Sequence, residues 1–250
     1  MTKLLYLMDM SRLKAPATIT SLVPALKAVI LDQTPFYPQG GGQPSDKGSL
    51  TVAGRVFSVQ AVKKDAEGAV LHYLDPFEEA LLPVGQAVEC EVDAQVRDLN
   101  TRAHSAGHLL DHAVEDLKLP FEVRGAFHFL PGPYVEYAIV DDRIVIDQAY
   151  LASLKETLVE AANKIVAEAM PVQVYTGSIN DLSDWRQELL PAAVRESGVV
   201  RLVRFCREGL LPVPCSGTHV TNSAQIRPIS IKKISQDKEK RTIRVTYLLQ

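Results

Sequence analysis

Four side chains with metal-binding chemistry occur as two pairs of equal spacing. His104 and His108 stand four residues apart in Arg102-Ala103-His104-Ser105-Ala106-Gly107-His108-Leu109-Leu110. Cys215 and His219 repeat that gap in Cys215-Ser216-Gly217-Thr218-His219-Val220. Positions i and i+4 of a helix lie one turn apart on one face, so two imidazoles placed there can hold a single ion. A glycine-containing Cys-x-x-x-His turn can supply a second pair. Three nitrogens and one sulfur suit tetrahedral Zn2+ and not an oxygen-seeking calcium or magnesium ion. Each pair by itself reads more simply as ordinary histidines and a small buried thiol. Together they use four of the nine Cys and His residues in the chain, which favours the metal.

Other chemistries fit less well. A zinc peptidase needs a carboxylate between the helix histidines as general base, and here Ser105-Ala106-Gly107 intervene. No Ser-His-Asp or Cys-His nucleophile pattern is present, and no general base can be identified. His72 and His128 read as ordinary histidines. His112, one turn beyond His108, is a candidate for supporting a ligand or passing a proton.

The elements that must position these residues can be read from periodicity. Val96, Leu99, Ala103, Ala106, Leu110, Ala113 and Leu117 recur at intervals of three and four, which predicts a long helix with one apolar stripe. At about 100° per residue the two histidines fall on the opposite side, so one face packs and the other displays imidazoles. Lys118-Leu119-Pro120 ends the helix. Before it, residues 1–92 read as β structure, with apolar runs at Leu4–Met8, Ala17–Val23, Ala25–Leu31, Leu50–Val62, Ala69–Leu74 and Ala87–Val92. Short strands at this spacing suggest a small barrel or sandwich. After the helix come strands over 122–129 and 134–140, a second helix over 147–170, a strand over 172–175, a helix over 179–190, a strand over 199–206 and a terminal hairpin of 225–235 with 241–249. The expected class is therefore α+β: a small barrel or sandwich over 1–92, then an α+β two-layer sandwich over 93–250.

Composition sets the bounds. In 250 residues, 46% are hydrophobic and 23% charged, as in soluble globular proteins. No apolar run is long enough to cross a membrane, and a cytoplasmic protein is expected; its oligomeric state stays open, with a monomer slightly favoured. Three cysteines do not suggest a disulfide framework; Cys90 and Cys206 read as small buried hydrophobes. The net charge is −3, yet residues 227–244 carry seven basic and two acidic side chains. That segment reads either as a solvated hairpin or as a grip on a polyanion. One loop, Phe36-Tyr37-Pro38-Gln39-Gly40-Gly41-Gly42-Gln43-Pro44-Ser45-Asp46, is stiffened by prolines and has three consecutive glycines. It lacks the Gly-Lys-Ser/Thr ending of a phosphate-binding loop.

The motifs at 102–110, 215–220 and 36–46 occur in the same order as in the alanyl-tRNA editing family, which the chain resembles over essentially its whole length. That family comprises the editing part of alanyl-tRNA synthetase and free-standing AlaX-type proteins. With no room for an aminoacylation domain, this chain looks like the free-standing form, and the Gly-rich loop points to the medium-length type, which implies an N-terminal small β-barrel over 1–92 ahead of the editing domain. The resemblance implies a deacylase that hydrolyses the ester of tRNA(Ala) mischarged with serine, or with glycine where the Gly-rich motif is present. It implies Zn2+ at His104, His108, Cys215 and His219. It also implies a substrate pocket beside Gly40, Gly41, Gly42, Gln43 and Pro44. Ser105, Ser216 and Thr218, all adjacent to the ligands, are candidates for contacting a substrate hydroxyl. Arg227, Lys232, Lys233 and Arg241 become candidates for tRNA phosphate contacts. Two positions depart from the pattern: Ser105 where Thr is common, and Ser216 where the synthetases usually have Gly. Two alternatives stay open: a zinc-stabilised tRNA-binding accessory protein without catalysis, and an editing deacylase for another aminoacyl-tRNA.

Overall fold

In a computed structural model the chain forms two compact units, 1–100 and 101–250. The structure describes every residue except Ser183, Leu189, Pro191, Arg207 and Glu208, and describes only the backbone of Asp184, Trp185 and Ala193.

The first unit is built on six strands: β2 (Lys14–Val23), β3 (Ala28–Leu31), β5 (Gly48–Val52), β6 (Arg55–Lys64), β7 (Val70–Asp75) and β8 (Ala87–Val92). They close into a barrel in the order β2-β3-β7-β6-β5-β8, with β8 returning to pair with β2. Closure removes the sheet edges that short strands would otherwise expose. Ile19, Val29, Leu31, Leu50, Phe57, Val62, Leu74 and Cys90 fill the interior. Two short strands, β1 (Lys3–Leu4) and β4 (Gln33–Thr34), pair in parallel beside it.

Three strand expectations need correction. Leu4–Met8 is not a strand: after Leu4 the chain makes a 3-10 turn at Leu5–Leu7 that buries Leu5 and Tyr6, and so short an apolar run cannot distinguish the two. Pro24–Leu26 is likewise a 3-10 turn, so β3 begins only at Ala28. Leu50–Val62 is two strands, because Ala53 and Gly54 both take positive φ (48° and 81°) and fold them into a hairpin.

Helix α1 (Ala94–Asp116) starts in the first unit and continues into the second. Asp93 caps it, accepting from the backbone N–H groups of Gln95 (2.9 Å) and Val96 (3.1 Å).

The second unit contains a four-stranded antiparallel sheet, ordered β14-β15-β10-β9, formed by β9 (Phe121–Phe127), β10 (Tyr134–Ile139), β14 (Ile229–Asp237) and β15 (Thr242–Leu249). Alternation along β15 sends Ile243, Val245 and Tyr247 inward, where they meet Leu109 and Leu110 of α1 and Leu158, Ala162 and Ile165 of α2 (Gln148–Ala167). That is the two-layer α+β arrangement. Asn163 of α2 caps the edge of β14: its carboxamide donates to Ile229 O (3.0 Å) and accepts from Ile229 N–H (2.9 Å). A three-stranded sheet of β11 (Val172–Ser178), β12 (Val199–Phe205) and β13 (Val213–Pro214) completes the unit. The helix expected over 179–190 is broken. Ser178 and Asp181 form a capping box around one 3-10 turn, Leu182 is extended, and α3 covers only Asp184–Glu188 before α4 (Ala192–Ser197). Positions 183 and 189 of that expectation lie outside the described residues. The terminal hairpin starts later than expected, because Ser223–Ile226 is a 3-10 turn. No helix among the described residues is long and apolar enough to cross a membrane.

Candidate metal centre

Helix α1 does not display its histidines to solvent. From Arg102 to Val114 every residue is buried except His108 and Asp111, which are partly buried, and His104 is 2% exposed. The expectation of one packed and one displayed face therefore fails, because a second set of polar groups covers the histidine side. Conversely Leu99, counted in the apolar stripe, is 39% exposed.

The loop after β13 brings Cys215 and His219 to that covered side. One donor atom from each of His104, His108, Cys215 and His219 lies within 4.8 Å of every other. The imidazole of His104 stacks on that of His108 (5.1 Å between centres) and tilts against that of His219 (4.7 Å). Cys215 Sγ is 3.3 Å from His104 Nε2. The loop is tied on several sides. Arg201 of β12 donates to Cys215 O (2.5 Å) and accepts from Cys215 N–H through its own carbonyl (3.1 Å). Thr218 Oγ1 lies 2.7 Å from Thr101 Oγ1. Ser105 Oγ accepts the N–H of Val220 (3.1 Å). Ser105 and Thr218, two of the candidate hydroxyl contacts, are thus buried and serve to hold the turn that carries His219.

These residues fit a metal ion. Tetrahedral ligands at zinc distances sit about 3.5 Å apart, close to what the cluster presents. Both ring nitrogens of His108 are buried without a hydrogen bond of ordinary geometry, a costly arrangement for groups with nothing to bind. Burial holds His104 and His219 well below the usual imidazole range, reinforced by the neighbouring imidazoles, so both present lone pairs. Burial alone would raise the Cys215 thiol, but the adjacent His108 ring and the Gly217 N–H pull it below its ordinary value, toward the thiolate that binds metals.

Two partners of the cluster escaped the sequence reading. His128, just past β9, stacks on His104 at 4.5 Å and is 3% exposed. Its Nδ1 lies 2.7 Å from the Tyr247 hydroxyl, which itself donates to Ala103 O (2.7 Å). The tyrosine oxygen must therefore accept from Nδ1–H, leaving Nε2 as the acceptor nitrogen of His128. Burial pushes His128 down to about 3. The second partner, Asp111, stands 3.6 Å from His108 Nδ1 and accepts from the Tyr137 hydroxyl (2.9 Å). Against the effect of burial, Asp111 and Cys215 lift His108 to about 9. An imidazole ligand backed by a carboxylate is the usual way a metal-binding histidine is oriented. Asp111 was visible as the third residue after His108; His128 left only an indirect trace, the glycine at 107. His112 is buried with its Nδ1 3.4 Å from Glu115 and its ring edge against Phe205 (5.0 Å), and is not among the clustered donors.

The other candidate residues are not among the clustered donors. Gly40 to Pro44 belong to the first unit, where Gly40 and Gln43 exchange both backbone hydrogen bonds (3.2 and 2.9 Å) around Gly41 (φ 53°) and Gly42 (φ 76°). Positive φ at both central positions is the requirement of a type I′ turn, met most readily by glycine. Asp46 anchors the loop, accepting from Tyr37 N–H (2.6 Å) and from Arg97 Nε (3.0 Å). In the second unit Arg227, Lys232, Lys233 and Arg241 are exposed, and Arg241 is paired with Asp142 (2.6 Å).

The chain is similar to known proteins along its whole length. Residues 9–96 match the family model described as tRNA synthetases class II (A). The alanyl-tRNA editing protein AlaX-M of Methanosarcina acetivorans is 31% identical over 257 residues, covering 100% of this chain and 99% of that protein. The AlaX-M protein of Methanosarcina barkeri is 30% identical over 253 residues, with 100% and 99% coverage. An alanine–tRNA ligase of Methanothrix thermoacetophila is 32% identical over 82% of this chain, which spans only 21% of that enzyme. With end-to-end similarity at this level and a His/Cys cluster assembled from its two most distinctive motifs, the chain belongs to the AlaX-M family of alanyl-tRNA editing proteins.

Proposed function

We propose that the protein is a trans-editing deacylase that hydrolyses the ester of tRNA(Ala) mischarged with serine, and with glycine. The observation that carries this reading is the cluster of His104, His108, Cys215 and His219 within a chain of this family. The donor set favours Zn2+. When bound, zinc supplies charge stabilisation and orientation for the ester carbonyl or an attacking water. The chain's own contributions are distinct from that. Asp111 and Tyr137 set the direction of His108. Thr101 and Ser105 hold the His219 turn against α1. His128 presents an acceptor nitrogen beside His104.

Discrimination follows from what each amino acid offers. A pocket that hydrogen-bonds the serine hydroxyl leaves polar groups unpaired when alanine enters, so correctly charged tRNA is spared. Thr218 and Ser105 shape that pocket. Glycine has no hydroxyl and is selected by excluding the alanine methyl, a task for the rigid turn at Gly40, Gly41, Gly42, Gln43 and Pro44. Arg227, Lys232, Lys233 and Arg241 contact tRNA phosphates.

One observation favours a second reading. Four protein donors can close a tetrahedral site, as in purely structural zinc centres, which would make this an RNA-binding accessory protein. Incubation with Ser-, Gly- and Ala-tRNA(Ala), with and without chelator, separates the two. The deacylase releases serine or glycine and spares alanine, and both chelator and Cys215→Ala abolish release. An accessory protein binds the RNA and releases nothing.

A further inference from the structure

The outward face of the four-stranded sheet carries an aromatic ladder that the metal centre does not use. Strand register aligns Phe127 with Tyr134, Tyr134 with Thr246, and Thr246 with Lys233, one residue from each strand. Residues opposite one another in such a row share a face of the sheet. Phe129 stacks on Phe127 (4.3 Å, 15°), and Phe127 stacks on Tyr134 (5.6 Å, 22°). Arg244 lays its guanidinium over the Tyr134 ring at 4.1 Å, steadied by Glu136 at 2.8 Å. The neighbouring residues Val135, Val245 and Tyr247 point the other way, into the core.

Aromatic pairs that serve only to hold strands together gain most when their rings are covered. Here the end of the ladder is open: Phe127 and Leu130 are each 40% exposed. At the far end of the same row Lys233 is exposed, and so is Lys232, the extra residue of the bulge beside it. Open π-faces in register with cations match the chemistry of unpaired nucleotides, whose bases stack on rings while their phosphates meet lysines. The ladder is also joined to the metal cluster through the chain. Phe127 and Phe129 flank His128, whose ring turns inward onto His104.

We infer that this face, at Phe127, Phe129 and Lys233, is a stacking platform for unpaired nucleotides of the substrate RNA. The identity of that RNA rests on the deacylase reading; the chemistry of the face does not.

The test compares the full-length protein with Phe127→Ala/Phe129→Ala and with Phe127→Trp. The probes are a labelled acceptor-stem RNA hairpin with an unpaired 3′ tail and the same hairpin blunt-ended. With the platform in place, the double alanine variant binds the tailed hairpin about tenfold more weakly or worse. Phe127→Trp retains affinity, blunt-hairpin binding is unchanged, and so is the salt dependence. Equal binding of the tailed hairpin by wild type and the double variant overturns the inference, as does equal weakening of both hairpins. A fall in solution mass from two copies to one in the double variant also overturns it, since the face would then be an interface between copies. Hydrolysis of a seryl ester of adenosine, measured in parallel, separates this failure from the other. Ester hydrolysis with unchanged tailed-RNA binding removes the platform and keeps the deacylase. Weakened tailed-RNA binding in the variant of a protein that hydrolyses no ester does the reverse.

Discussion

His128 occupies the space that a side chain at Gly107 would fill: a Cβ built there would lie 2.3 Å from His128 Cε1. Glycine inside a helix costs about 1 kcal/mol relative to alanine, so α1 gives up intrinsic stability at this position to admit the histidine. Gly107→Ala is therefore expected to lower the melting temperature, since overpacking of roughly 1–3 kcal/mol exceeds the propensity gain. Adding His128→Ala should recover most of the loss in a double-mutant cycle. A single variant more stable than wild type would show that His128 does not need the space.

Asp111 stands 3.6 Å from His108 Nδ1, where it would orient that ring toward a bound metal. Asp111→Asn should keep the fold and reduce metal affinity about 10–100-fold, read by competition with a chromophoric chelator. Tyr137→Phe should follow in the same direction with a smaller effect, because it removes only the 2.9 Å bond that steadies the carboxylate. Equal affinities across the three proteins would dissociate Asp111 from ligand orientation.

Acid should weaken the barrel unit through His72. Its Nδ1 lies 3.3 Å from Val29 O and its Nε2 2.8 Å from Thr34 Oγ1, and burial drops it from 6.5 to about 4. The folded value is the lower one, so the unfolded chain takes up the proton first. The stabilisation is complete above pH 6.5 and is lost as pH falls toward 4, by about 3 kcal/mol at most. Urea unfolding followed through the barrel between those limits should reveal this slope, and His72→Gln should flatten it.

Arg97 and Asp46 form a buried ion pair at the root of the Gly-rich loop, and Arg97 also donates to the carbonyls of Met10 and Pro35 (2.8 Å each). Removing one partner strands the other charge, so Arg97→Met should cost about 3–5 kcal/mol of stability. The double change Arg97→Met/Asp46→Asn should cost less than Arg97→Met alone. Additive losses would place the energy in the carbonyl contacts instead.

The basic candidates are not equivalent. Among the described residues no ion pair involves Lys232 or Lys233, whereas Arg241 has Asp142. Lys232→Glu/Lys233→Glu should weaken tRNA binding and make its salt slope shallower, by roughly one for each phosphate that the lysines neutralise. Arg241→Ala should change both by less. The reverse order would move the phosphate track to the tip of the hairpin.

Much of this protein was legible in its residues. A four-residue spacing fixes which histidines share a helix face whatever surrounds them, so His104 and His108 could be paired from the chain alone. Cysteine and histidine are rare enough that a second pair at Cys215 and His219 was conspicuous. Apolar runs bounded by turn residues pointed to a small barrel or sandwich; the strand pairing decides that the sheet closes. What needed the tertiary structure was everything that depends on which surfaces meet. Periodicity shows which face of α1 is apolar, but not that Tyr247 and His128 would bury its polar face as well. His128 sits in a strand-end context like any other, and only packing brings its ring onto His104. The outward row from Phe127 to Lys233 arises from the pairing of four strands, two of which, β10 and β15, lie more than a hundred residues apart in the chain. Local sequence can set the period of each strand, but register between distant strands is decided by the core they jointly bury.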